Sequence, residues 1–273
     1  TKIIIIVEYI MFENQWEVIK YIEDKFENKL SYVSAPYQNA NLPYFKDIDT
    51  GIEFVYIPGG EYNMGFSEEE YAQILKLTET PNISIEEMQP VHKVKLSPFL
   101  LSITPVLNSH ILNYNNNFGK SIAIDGEAYS PFFCEYSLAE SIAADLCSKI
   151  PNEEEWEYAC RGGKHSLFCF GNSLPTESEL EKWMSWDLFS LTELNHNDFG
   201  LYGLFFGEWC SNDFTVNLKI GSNTVSDSKT VRGGGALFFP WQDEEWVYCL
   251  SAFRMPSKDL LDNKATFRLK LEI

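Results

Sequence analysis

Lys149-Ile150-Pro151-Asn152-Glu153-Glu154-Glu155-Trp156-Glu157-Tyr158-Ala159-Cys160-Arg161-Gly162-Gly163 carries both ends of a helix in one short run. Asn152 offers a side-chain acceptor at the N-cap, and Glu155, three residues on, completes a capping box. Three successive acids, Glu153 to Glu155, stand at the positive end of the helix dipole. Gly162-Gly163 closes the helix with the left-handed turn that glycine adopts at least cost. Residues 138–148, just upstream, have the apolar spacing of a second amphipathic helix.

Further towards the N-terminus the pattern changes to strands. Phe54-Val55-Tyr56-Ile57-Pro58-Gly59-Gly60-Glu61-Tyr62-Asn63-Met64-Gly65 reads as two strands joined by a Pro-Gly-Gly turn, which predicts a hairpin. Residues 67–87 are acidic and helix-compatible, and are expected to form a surface excursion. Gln89-Pro90-Val91-His92-Lys93-Val94-Lys95-Leu96 reads as a strand, followed by Phe99 to Asn108 with Thr104-Pro105-Val106-Leu107-Asn108. At the start of the chain, residues 2–10, with four isoleucines in succession, read as a buried strand. Residues 13–29 place Trp16, Ile19, Ile22 and Phe26 at helical steps. The Asn- and Pro-containing run 37–43 reads as a linker.

The chain has 273 residues, 45% of them hydrophobic and 15% aromatic, the composition of a folded protein with a sizeable core. Its 21 Lys and Arg against 40 Asp and Glu leave a formal charge of −19. That balance argues against nucleic-acid binding, which depends on neutralising phosphates, and against an anionic membrane surface. No apolar run reaches membrane-spanning length, so no membrane insertion is expected. The cysteines, Cys134, Cys147, Cys160, Cys169, Cys210 and Cys249, contain no Cys-x-x-Cys and no zinc spacing. Cys147 and Cys160 fall in helix-like segments and read as small core residues. This usage favours a reducing, cytoplasmic setting.

Taken together, the runs 54–65, 89–96, 104–108 and 149–163 resemble, in order and spacing, the formylglycine-generating enzymes (sulfatase-modifying factors). So do Asn197-Asp198-Phe199-Gly200-Leu201-Tyr202-Gly203-Leu204-Phe205-Phe206-Gly207-Glu208-Trp209-Cys210, Val231-Arg232-Gly233-Gly234 and the closing Phe267-Arg268. The resemblance implies an α+β architecture, the irregular fold of that family with a C-type-lectin-like core. It covers roughly residues 50–273, which places the domain at 46–273 and leaves residues 1–45 as an N-terminal strand–helix extension and linker.

Family members oxidise a sulfatase cysteine to an aldehyde, with copper held by two thiolates, a ligand set that suits Cu(I). By register from Arg232-Gly233-Gly234, those thiols correspond here to Phe238 and to Asp243 or Glu245, so copper chemistry is not expected. Calcium remains open, but only Asn197, Asp198 and Glu208 survive as oxygen donors in a shortened segment, and calcium needs six to eight. His92, His110, His165 and His196 show no metal spacing, which disfavours iron. His92 reads as a hydrogen-bonded structural residue. Asp243-Glu244-Glu245 reads as a solvated acidic run rather than an acid–base pair.

What remains is aromatic: Phe238, Phe239, Trp241 and Trp246 lie where family members floor their substrate groove, among residue types enriched at recognition hot spots. With Asp243 and Arg254 they form the expected ligand-binding set. The reading is a catalytically degenerate domain that binds a protein or a small-molecule ligand, without catalytic residues and without a resident cofactor. An accessory subunit of a larger assembly is a further form of that reading. The alternatives are a metal-dependent oxidase or maturation enzyme with a relocated active site, and a variable ligand-binding protein of the diversity-generating-retroelement type. The position of the segment agrees with the last. Trp241, Gln242, Glu244 and Glu245, however, are not residues that asparagine-codon mutagenesis yields.

Overall fold

The computed structural model describes residues 14–34, 42–77, 84–174, 176, 178, 196–234 and 245–273. The strand read at 2–10 and most of the linker at 37–43 lie outside the described residues. The described chain starts with helix α1 (Gln15–Lys25), whose N-cap Asn14 accepts from the Trp16 and Glu17 amides, and strand β1 (Leu30–Val33). Strands β2 (Tyr44–Asp47), β3 (Glu53–Ile57), β4 (Gly60–Met64), β5 (His92–Leu96) and β6 (Phe99–Ser102) follow, with helix α2 (Glu68–Ile74) between β4 and β5. Three helices come next, α3 (Asn108–Phe118), α4 (Tyr136–Asp145) and α5 (Glu153–Cys160). Strands β7 (Phe206–Thr215), β8 (Thr224–Gly234), β9 (Arg254–Pro256) and β10 (Lys270–Glu272) complete the chain.

An antiparallel sheet of order β1-β2-β3-β6-β10 runs through the middle of the molecule. Strand side chains alternate between faces, and here both faces are covered. Val55, Ile57, Phe99 and Leu101 enter one apolar cluster, together with Trp156, Tyr202, Leu204 and Phe206. Phe54, Leu100, Leu269 and Leu271 enter another, with Ile111, Phe132, Trp209 and Phe267. Helix α1 buries Val18, Ile19 and Ile22 in this second cluster, and β1 pairs with β2, so this part of the extension is docked on the main sheet. A two-stranded sheet, β4-β5, and a three-stranded sheet, β7-β8-β9, hold α5 between them.

Several expectations change. The strands at 54–65 do not form a hairpin: β3 pairs with β2 and β6, whereas β4 pairs with β5 in another sheet. The glycines between them serve close packing at a corner. A Cβ on Gly59 would lie 2.5 Å from the Leu96 carbonyl oxygen, and one on Gly60 would lie 2.7 Å from the Tyr158 hydroxyl. The acidic run after Ser67 is largely at the surface among its described residues, with Glu68, Glu69 and Leu75 exposed, but Glu70 and Ile74 of α2 are buried and tie it to the core. Cys147 is exposed rather than a core residue, because it sits past the end of α4 with φ 48°. The other cysteines are buried, and all six are free thiols.

Candidate functional site

Helix α5 has the caps read from its sequence. Asn152 accepts from the Glu155 amide at 2.8 Å, and Glu155 accepts from the Asn152 amide at 2.9 Å. Gly162 and Gly163 follow with φ of 61° and 72°. The face at i, i+3, i+4 and i+7 carries Glu153, Trp156, Glu157 and Cys160, all buried. Two carboxylates on a buried face must be paired or neutralised.

They are paired in a continuous chain of alternating charge. Glu70 accepts from Arg161 at 2.7 Å, and Arg161 donates through Nε to Glu157 at 2.9 Å. Glu157 accepts from Arg232 through its other oxygen, and Arg232 approaches Glu153 at 3.5 Å. Glu153 ends the chain as a bidentate acceptor from Arg254, at 2.9 Å on each oxygen. Other donors go to carbonyl oxygens, Arg161 to Gly65 and Ser166, Arg232 to Ser251, Arg254 to Glu87 and Thr215, while the buried Arg232 Nε has no acceptor among the described residues. Burial pushes the Glu157 carboxyl up, but Arg161 and Arg232, with the Gly65 amide, outweigh it and hold the group below its ordinary range. Burial also opposes the charge of Arg161, yet Glu157 and Glu70 leave it more firmly protonated than a free arginine.

A second pair lies beside this chain. Arg268 meets both oxygens of Glu208 at 2.9 Å, and the Trp156 indole donates to the same carboxylate at 2.9 Å. The remaining guanidinium donors go to the carbonyls of Ser102, Ile103 and Tyr202. Here one arginine faces one carboxylate, and burial wins: it raises Glu208 and lowers Arg268 from their ordinary values.

These contacts reassign several residues. Arg254, expected in the ligand-binding set, is fully buried with its donors spent on Glu153, Glu87 and Thr215, so it belongs to the scaffold. Phe238, Phe239, Trp241 and Asp243 lie outside the described residues. Trp246 falls in the 3-10 turn Glu245–Cys249, its side chain outside them too. The sequence reading missed Glu70, Glu153 and Glu157 as the partners of the arginines. The signal was present in the spacing of Glu153, Glu157 and Arg161, each four residues from the next on one helix face.

The donors named for metals are committed elsewhere. The Asn197 side-chain oxygen accepts from the Phe199 and Leu201 amides, Asp198 pairs with Lys164 at 2.6 Å, and Glu208 is held by Arg268. Cys249, the thiol nearest in sequence to the positions of the copper ligands in the family, is buried, and burial raises its pKa above the ordinary thiol value. His92, half-buried in β5, contacts the Pro90 carbonyl through Nδ1 at 3.1 Å, a structural role.

The described ends of the aromatic segment come together. Arg232 is locked in the charge chain, and Gly233, with φ 79°, is pressed against Trp156, where a Cβ would lie 3.0 Å from the ring. A Cβ on Gly234 would lie 3.4 Å from the Tyr248 carbonyl oxygen and 3.8 Å from Cys249 Sγ. Gly234 and the Tyr248–Cys249 pair, the described residues that flank the aromatic segment, therefore lie side by side in buried structure.

Known proteins resemble this chain in fold or in sequence. PvdO from Pseudomonas aeruginosa superposes with a TM-score of 0.63 at 18% identity, over 87% of this chain and all of that one. Treponema denticola variable protein 1 gives 0.55 at 17% identity, over 84% of this chain and 99% of its own. Among curated sequences, the serine/threonine-protein kinases Pkn1 of Chlamydia trachomatis and Chlamydia pneumoniae are each 25% identical, over 64% and 58% of this chain. The match takes up 30% and 27% of those kinases, so the chain spans about a third of their length. The model of the sulfatase-modifying factor enzyme 1-like domain matches residues 44–269, nearly the whole described fold, and the chain belongs to that family.

Proposed function

We propose that this domain is a catalytically degenerate member of its family, a pseudoenzyme that binds a protein or small-molecule ligand through residues 238–246. The observation that carries the reading is the anchoring of that segment at Gly234 and at Tyr248–Cys249. A connection with fixed ends on a rigid base is the usual way to present recognition residues. Phe238, Phe239, Trp241 and Trp246 supply hot-spot side chains, while aromatic and acidic side chains stand where the copper thiols of the family would be. The free thiols support a reducing, cytoplasmic setting. The likeness to part of the Pkn1 kinases supports an accessory role within a larger protein or assembly.

The test is Trp241→Ala with Trp246→Ala, followed by partner capture and thermal melting. Loss of one hot-spot aromatic weakens binding by about thirtyfold, from roughly 2 kcal/mol. The expected result is lost capture with an unchanged Tm. A large fall in Tm would make both residues core and remove the reading. A second reading, display of a variable segment, is favoured by the shared fold with the Treponema denticola variable protein. Sequence variation between close relatives confined to residues 235–246 would select it.

A further inference from the structure

The second apolar cluster opens to solvent through a cavity of about 510 Å³, on α3 and α4. The ends of the aromatic segment pack in the other cluster through Val247, Cys249 and Leu250, so the cavity is independent of the function proposed above. Its walls are Ile122 and Ile124 from the run after α3, Phe132 and Phe133 from the run before α4, and Leu138 of α4 itself. This volume lies within the range of small-molecule sites, and the lining has their mixture of apolar wall and few polar groups.

Asn108, the first residue of α3, lines the cavity and is 2% exposed. Its Nδ2 donates to the Asp125 carbonyl at 2.7 Å and to the Glu127 carbonyl at 2.9 Å, which holds one wall in place. Its Oδ1 has no donor among the described residues. A buried amide oxygen left so costs about 1–3 kcal/mol, and an incoming N–H would offset that cost. Three charged side chains stand on the rim, Asp125, Glu135 and Lys264, all exposed. Two carboxylates against one ammonium, in a chain of charge −19, leave the cavity mouth negative. The positive end of α4 does not reverse this, because Glu135 occupies its N-cap.

We propose that this cavity binds a small organic cation, a protonated amine on an apolar body. The apolar part lies against Ile122, Ile124 and Leu138, and the ammonium N–H groups face Asp125, Glu135 and the unpaired Asn108 oxygen. The test is an NMR titration of the full chain with phenethylamine, with 2-phenylethanol and 3-phenylpropionate as neutral and anionic counterparts, following the methyls of Ile122, Ile124 and Leu138. The amine is expected to saturate these methyls at millimolar concentration, about fivefold tighter than the alcohol, with the carboxylate weakest. Asp125→Asn with Glu135→Gln, both at exposed positions, should bring the amine down to the affinity of the alcohol. The proposal is overturned if the carboxylate binds as well as the amine, if the double variant binds the amine unchanged, or if the amine leaves these methyls unshifted.

Discussion

Glu157 is fully buried, so its charge is balanced by two arginines, one from just beyond its helix and one from far along the chain. Arg161 follows by one helical turn, whereas Arg232 lies 75 residues away in sequence. Removing one member of such a buried array strands its partners. Glu157→Gln is expected to cost about 3–5 kcal/mol in urea denaturation at neutral pH. The pH dependence has a fixed sign. The folded-state carboxyl is held below its unfolded value, so its contribution is present above the ordinary glutamate range and is lost as pH falls through the folded value. The gap between wild type and variant should therefore close in acid. The charged residues of this array stand out in the sequence as motif members, but their pairing does not. Arg254 and Glu153 are 101 residues apart, and no local pattern says that an arginine just beyond an aromatic, acidic run points inward.

At the scale of elements, α5 was legible because its caps are local, while α3 was not. Its sequence, Asn108–Phe118, is rich in asparagine, a poor helix former, and starts without a side-chain N-cap, Leu107 standing there, so Gly119 at its C-terminus is the one local cap signal. Tertiary contacts make it a helix: Asn113 and Asn117 donate to the Thr50 and Asp49 carbonyls, and Asn115 clasps both backbone groups of Ile122. At its start the Leu107 amide donates to His110 Nδ1 at 3.1 Å, which requires that nitrogen to be unprotonated. Burial, assisted by Lys46, pulls the His110 pKa down to about 3. The unfolded chain takes up this proton near pH 6.5 and the folded chain does not, so stability falls as pH drops below 6.5. Glutamine at position 110 keeps an acceptor without a titration. His110→Gln should lose about 2 kcal/mol less than wild type between pH 6.5 and 5, measured by denaturation at each pH. The β3–β4 corner escaped the sequence for the same reason as α3. A Pro-Gly-Gly turn between two apolar runs is locally a hairpin, and only Leu96 and Tyr158, distant in sequence, explain why those glycines are needed.

For the molecule as a whole, order and spacing of motifs carried the fold, because each motif meets a neighbour in the same core. Pro58, Asn197, Arg232 and Arg268 each contact another motif: Tyr158 donates to the Pro58 carbonyl, and Asn197 donates to the carbonyls of Ala159 and Cys160 at the end of α5. The residues that identify the family are thus the ones that hold the fold together, whereas by register from Arg232-Gly233-Gly234 the copper thiols of the family correspond to Phe238 and to Asp243 or Glu245. In the function proposed above, the scaffold has outlived the oxidation chemistry. This is tested most directly by titrating the chain with Cu(I) and then incubating it with oxygen and a cysteine-containing sulfatase peptide, with aldehyde formation as the readout. No aldehyde is expected at any copper loading. One tightly held equivalent of Cu(I) accompanied by stoichiometric or catalytic aldehyde formation would contradict it.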